Sequence, residues 1–161
     1  MKTAANVINV WAFRSRLLGS RFLLLGTSQL KANRYFNGGR FWQIPSGCVG
    51  DDEAVEDAVQ RILGAYGLTA SAIWAGEHAY IIYNRRFVQM QMITVFAAEV
   101  QEGPVRLDAN EHSEFGWFSR EECLARIHYK GLKEGLTSVH EYVTGTESLA
   151  KELCLYQRCT L

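Results

Sequence analysis

Carboxylates crowd one short stretch of this 161-residue chain: Asp51, Asp52, Glu53, Glu56 and Asp57 fall within seven residues. Like charges this close repel unless solvent, an arginine or a cation offsets them. The stretch therefore reads either as a metal site or as a solvated helix face, and Glu53, Asp57 and Arg61 form an i, i+4, i+8 ladder suited to the second role. A further group, Asn110-Glu111-His112-Ser113-Glu114, adds two carboxylates and a histidine. The histidine titrates near neutrality and suits a general base, although a lone loop histidine is more often a surface residue with a satisfied hydrogen bond. The loop Ser46 to Gly50 offers backbone N–H groups to a phosphate at a helix start, where the dipole favours an anion; Asp51 and Asp52 oppose that unless a cation intervenes. Trp42, Tyr80, Tyr83, Phe87 and Trp117, with Arg14, Arg85 and Arg86, supply rings for a base and cations for phosphates.

The spacing of Gly47, Glu53 and Arg61 matches the start of the pattern G-x5-E-x7-R-E-U-x-E-E-x-G-U, where U is bulky and aliphatic. The upstream run Phe41-Trp42-Gln43-Ile44-Pro45-Ser46-Gly47 resembles F-W-x-x-P-G-G, and Glu111-His112 with Glu114 and Trp117 resembles E-H-x-E-x-x-W. Residues from about 5 to 145 thus resemble the Nudix hydrolases of nucleoside diphosphates linked to another group, in the branch that acts on nucleoside triphosphates and dinucleotides. The second half of the box departs from the pattern. Ile62, Ala65 and Tyr66 stand where it has glutamates, one residue is missing before Gly67, and only Leu63, Gly67 and Leu68 agree.

The resemblance implies an α/β/α sandwich with a mixed central sheet, and it implies pyrophosphohydrolase chemistry with Mg²⁺ or Mn²⁺. Such ions need several oxygen ligands, and the lost glutamates leave Glu53, Glu56, Asp57 and Glu111 as the candidate metal set. Glu111 and Glu53 are the candidate catalytic residues, with Glu53 and Arg61 alternatively a structural brace along the helix. Trp42, Ser46, Gly47, Tyr66, Arg85 and Arg86 are the candidate substrate contacts. Tyr66 is a poor ligand for such an ion, because a phenol ionises near pH 10. Two readings follow: a hydrolase with weakened or altered activity, or an inactive nucleotide- or small-molecule-binding module with no metal, in which Ile62, Ala65 and Tyr66 fill the former metal cavity. A homodimer through the sheet or the C-terminal helices is a further expectation of the resemblance.

The elements that must hold these groups are legible in part. Val7–Phe13 and Phe22–Leu25 read as strands, followed by a polar, glycine-bearing loop from Thr27 to Arg40 and an extended piece Phe41–Ile44 ended by Pro45. Asp51 or Asp52 caps an amphipathic helix over 52–66. Ala72–Gly76, His78–Tyr83 and Phe87–Val100 read as strands, with a hairpin turn at Asn84-Arg85-Arg86. Phe115–Phe118 is a short strand, Ser119 caps a helix to Ile127, and a second helix covers Gly131–Val143. Residues 1–145 make one domain, and 146–161 form a tail with a short helix to about Leu155.

Bulk composition narrows the partners. Apolar residues make up 48% and charged residues 21%, an ordinary globular balance. Lys plus Arg equals Asp plus Glu at 17 each, so no global field attracts nucleic acid or a membrane surface. Cys48, Cys123, Cys154 and Cys159 lack a C-x-x-C pair, which reads as reduced thiols in a cytoplasmic protein. The N-terminal apolar run is broken by Asn6 and Asn9, too weak for a secretion signal.

Overall fold

A computed structural model describes residues 1–101 and 103–158. Its centre is strand β1, Lys2–Arg14, which runs parallel to β6, Gln89–Val100. The other strands are β2 (Arg21–Thr27), β3 (Trp42–Gln43), β4 (Ser46–Cys48), β5 (Ala70–Asn84), β7 (His112–Phe118) and β8 (Cys154–Gln157), all paired antiparallel. They form one mixed sheet in the order β3-β2-β1-β6-β5-β8, with β4 added beside β1 and β7 beside β2.

Strand alternation sends successive side chains to opposite faces, and both faces are buried. Ile8, Val10, Ala12, Leu23 and Leu25 face helix α2 (Val55–Gly64), which presents Ala58, Val59, Ile62 and Leu63. Trp11, Phe13, Phe22 and Leu24 face the other way, towards α3 (Arg120–Arg126), α4 (Lys130–Val139), a π-helical turn (His140–Thr144) and α5 (Ser148–Leu153). The result is the expected α/β/α sandwich with a mixed central sheet.

Several local expectations need correction. The stretch Thr27–Arg40 is not all loop: it contains α1, Gln29–Tyr35, whose N-cap Ser28 accepts the Lys31 backbone N–H at 3.0 Å. Helix α2 starts at Val55 after Ala54, with Asp51 and Asp52 in an exposed turn that caps nothing. The expected strands on either side of Glu77 are one strand, β5, carrying a bulge where Glu77 takes a φ of 55°. In the tail the helix stops at Leu153, and Cys154–Gln157 then joins the sheet as β8. Cys48, Cys123 and Cys154 are free thiols; Cys159 lies outside the described residues. No described helix is long and apolar enough to cross a membrane.

The caps make a testable contrast. Ser119 is half of a capping box with Glu122, so Ser119→Ala lowers unfolding free energy by about 1 kcal/mol. Asp52→Ala, at an exposed position that caps no helix, shifts it by less than about 0.5 kcal/mol. Urea denaturation of both variants checks the difference.

Candidate functional site

Glu111, in the turn just before β7, is held by two cations. Arg86 donates to it through both terminal nitrogens, Nη1 to Oε2 and Nη2 to Oε1, each at 3.0 Å. The Lys31 ammonium of α1 sits 3.0 Å from Oε2, with its side chain only 8% exposed. Lys31 also donates to Gln43 Oε1 of β3 at 2.9 Å. The same oxygen lies 3.1 Å from His112 Nε2.

Local structure explains how α1 reaches this point. Ser28 Oγ caps α1 and also donates to the Asn110 carbonyl at 2.7 Å, while the Ser28 N–H bonds the Glu111 carbonyl at 3.0 Å. Asp108 fixes the preceding turn, its carbonyl accepting the N–H groups of Glu111 and His112 and its carboxylate that of Asn110. Arg86 arrives from the β5–β6 turn, where Asn84 Oδ1 accepts its backbone N–H at 3.0 Å.

The electrostatics follow from these contacts. The Arg86 hydrogen bonds, opposed by partial burial and aided by Lys31, hold the Glu111 carboxyl at about 2. Burial pulls the Lys31 ammonium below its usual 10.5, against the raising effect of Glu111. Burial, then the Lys31 charge, pushes His112 down to about 4, so its ring is neutral at pH 7. With Nε2–H turned to Gln43, His112 Nδ1 is left buried with no hydrogen-bond partner. The ring of Tyr66 lies 6.1 Å from the His112 ring, and burial with the nearby Glu111 and Asp108 charges raises its phenol to about 12. Tyr35 and Phe87 flank the Arg86 guanidinium, with ring centroids at 4.8 and 5.3 Å.

The other candidates are distributed elsewhere. Glu53 accepts from Arg61 Nη2 at 2.8 Å and from Nε at 2.9 Å, and its Oε1 takes the Gly50 N–H at 3.1 Å. The Arg61 hydrogen bonds, before that backbone bond, hold its carboxyl at about 2. Arg61 further donates to the Cys48 carbonyl at 2.6 Å, tying α2 to the loop before it. Asp57 is exposed and Glu56 half-buried on the outer face of α2. An open surface depression of about 700 Å³ is lined by Asn6, Cys48, Glu53, Asp57 and Arg61 among others, but not by Glu111, Lys31 or Arg86. Ser46 Oγ donates to Asn9 Oδ1 at 2.7 Å. Trp42 packs edge-on against Phe118 at 5.5 Å, on the side of the C-terminal helices. Arg85 is exposed at the hairpin turn, and Glu114 pairs with Arg40 at 3.2 Å.

A divalent cation does not fit this donor set. Among the described residues no three His, Cys, Asp or Glu side chains converge, so Glu53, Glu56, Asp57 and Glu111 are not brought together as ligands. Ile62 is buried against the sheet, and a Cβ added to Gly47 would lie 2.9 Å from its methyl carbon. An aliphatic side chain therefore covers the glycine where the box pattern has a carboxylate. Lys31 and Gln43 were not among the candidates from sequence. The signal for Lys31 was the serine three residues before it, a helix cap inside what read as a loop.

Comparison with known proteins agrees with the fold. The model of the NUDIX domain matches residues 2–138. No curated protein matches the sequence. Among solved structures, a NUDIX hydrolase from Listeria monocytogenes is 20% identical with a TM-score of 0.66, covering 86% of this chain and 93% of its own. A MutT protein from Methanosarcina mazei is 22% identical with a TM-score of 0.65, covering 87% and 95%. The NUDIX domain of Shewanella oneidensis NrtR, solved with ADP ribose, is 16% identical with a TM-score of 0.64, covering 89% and 90%. At these identities the likeness is one of fold.

The depressed His112 value predicts a pH effect with a definite sign. Unfolded, the ring titrates at its usual 6.5; folded, at about 4. Between those values the unfolded chain binds more protons, so stability falls as pH falls through that window. Glu53 and Glu111 are held at about 2 against a usual 4.5, so they add a second loss below 4.5. Urea midpoints therefore drop from pH 7 to pH 4, and His112→Asn flattens that part of the curve while leaving the lower part. An unflattened curve in the variant contradicts a buried neutral ring.

Proposed function

The chain belongs to the NUDIX family, and on that premise we propose that it binds a nucleoside-diphosphate-type ligand without a metal ion and without hydrolysing it. The observation that carries this reading is the clasp on Glu111. The loop carboxylate that the family resemblance offers as metal ligand or base is already neutralised, by the Arg86 guanidinium and the buried Lys31 ammonium.

Hydrolysis needs a group to activate water and a positive centre to polarise phosphorus. Glu111 has two cations on its two oxygens, which leaves it a weak base at pH 7. His112 is neutral but 94% buried, its Nε2 turned to Gln43 and its Nδ1 enclosed. The helix that would carry the metal ligands, with the turn after it, presents Ile62, Ala65 and Tyr66 instead. Turnover through Glu53, Glu56, Asp57 and Glu111 would require carboxylates that are free and convergent.

Binding requires less, and the surface has the parts. Lys31, Arg86 and Glu111 sum to one net positive charge, fixed in place before any ligand arrives. The flanking rings of Tyr35 and Phe87 give a base two stacking surfaces beside that charge. The phenol of Tyr66 stays protonated and can donate to a phosphate oxygen. ADP ribose, the ligand of the Shewanella domain, combines an adenine ring with a pyrophosphate and matches these partners in kind. The balanced charge and the free thiols among the described residues accord with a cytoplasmic protein that binds a small molecule rather than nucleic acid.

Calorimetric titration with ADP ribose and with ADP tests this directly. Binding is expected to be the same in EDTA as in Mg²⁺, with no product released on prolonged incubation with Mg²⁺ or Mn²⁺. Arg86→Ala weakens it by about tenfold or more, the loss expected for a charge-assisted hydrogen bond. Metal-dependent release of nucleoside monophosphate overturns the reading.

A further inference from the structure

Charge is spread unevenly along this neutral chain. Residues 1 to 50 carry seven Lys or Arg and no Asp or Glu, and residues 78 to 98 carry Arg85 and Arg86 and no carboxylate either. The fold brings parts of both stretches to one end of the sheet. Lys2 and Thr3 of β1 pair with Gln89 and Met90 of β6, just after the β5–β6 turn at residues 85–88. Helix α1 meets the same turn where Tyr35 lies against Arg86. Lys31 and Arg86 are spent on Glu111. Lys2, Arg34 and Arg85 are exposed and form no ion pair among the described residues.

Apolar side chains stand out from the same end. Phe87 and Val88, in the turn itself, are 56% and 63% exposed, and Leu30 of α1 is 61% exposed. Behind the turn, Ile81 and Met92 sit opposite each other on β5 and β6 and are both exposed. Helix α2 covers that face of the sheet only further along, at Ile73, Phe96 and Ala98. Val88 takes a φ of 52°, in the region that suits glycine or asparagine and strains a β-branched residue. Folding alone would favour a small or polar residue there, so the aliphatic group is explained by what lies outside the chain.

Two kinds of large anionic partner suit unpaired cations, and the apolar side chains choose between them. Nucleic acid offers phosphates to Lys and Arg and bases to aromatic rings, but no partner for Leu30, Ile81, Val88 and Met92. An anionic bilayer offers both parts: charged headgroups at the surface and acyl chains just beneath. We propose that this end of the molecule docks on an anionic lipid surface. The 85–88 turn enters the interface with Phe87 and Val88, and Lys2, Arg34 and Arg85 flank it at the level of the headgroups. Three cations and a short apolar tip make such docking peripheral and reversible. It does not depend on what the clasp at Glu111 binds.

Co-sedimentation of the full chain with vesicles tests it. Vesicles of phosphatidylcholine and phosphatidylserine, about three to one, are expected to retain the protein at least roughly tenfold better than phosphatidylcholine alone. The difference shrinks as salt is raised. Arg85→Glu weakens binding to the mixed vesicles by about tenfold, whereas Arg158→Glu, exposed beside Ser71 at the other end of β5, leaves it unchanged. Val88→Asn suits the left-handed backbone and so keeps the fold; it weakens binding by about tenfold and keeps the preference for phosphatidylserine. No retention by the mixed vesicles, equal retention by phosphatidylcholine alone, or equal losses in Arg85→Glu and Arg158→Glu each overturns the proposal. So does full vesicle binding by Val88→Asn while Arg85→Glu loses both vesicles and single-stranded DNA, the pattern of a general polyanion site.

Discussion

A lysine ammonium removed from water must find a carboxylate, because an uncompensated buried charge costs several kcal/mol. Lys31 is in that position, and its pairing with Glu111 is the constraint on which the arrangement of this end of the molecule depends. The pair joins α1 to the turn before β7; Gln43 brings in β3; Arg86 brings in the β5–β6 turn. Three segments meet at one carboxylate, and β3 joins them through Lys31. Ser28 reinforces the arrangement by bonding both its own helix and the Asn110-Glu111 backbone.

The clasp on Glu111 has a counterpart in helix α2, which carries Ile62 where the box pattern has a carboxylate. A helix that held a divalent ion would present carboxylates to the loop at Gly47, and those carboxylates would resist burial without the ion. Here Ile62 and Leu63 are buried against the sheet, and Tyr66 lies over His112 as a neutral phenol. The helix keeps its anchor to the preceding loop through Glu53, Arg61 and the Cys48 carbonyl. Apolar contact holds the rest of it. Positive charge at the site thus comes from fixed side chains and is present at every metal concentration.

Features that depend on local pattern could be read from the chain. The apolar positions of α2 recur at helical spacing, and Glu53, just before the helix, lies eight residues from the Arg61 that it contacts. Strands β1, β2 and β6 announce themselves by β-branched and aromatic runs. Arg86 and Glu111 drew attention by residue type, but nothing in their spacing says that they touch, since a hairpin turn and a loop meet only through tertiary packing. Helix α1 was hidden because its seven residues carry two buried side chains, Lys31 and Ala32, and so have almost no apolar periodicity. Strand β8 was hidden for a related reason: Cys-Leu-Tyr-Gln is a strand only because the edge of β5 is there to receive it. The start of α2 was misplaced because Asp51 and Asp52 are strong cap formers by type, while the backbone turns through them and begins the helix after Ala54.

The most direct test of the account is Mn²⁺ titration followed by amide resonance broadening in nuclear magnetic resonance spectra, since the unpaired electrons of the ion relax only nuclei close to where it binds. If fixed cations have taken the place of a metal, the amides of Gly47, Ile62, Tyr66 and Glu111 broaden no more than those of an exposed acidic surface such as Asp51 and Asp52. Selective loss of the Gly47, Ile62 and Glu111 signals at low Mn²⁺ would mean that an ion displaces Lys31 and Arg86 from Glu111, and would contradict the account.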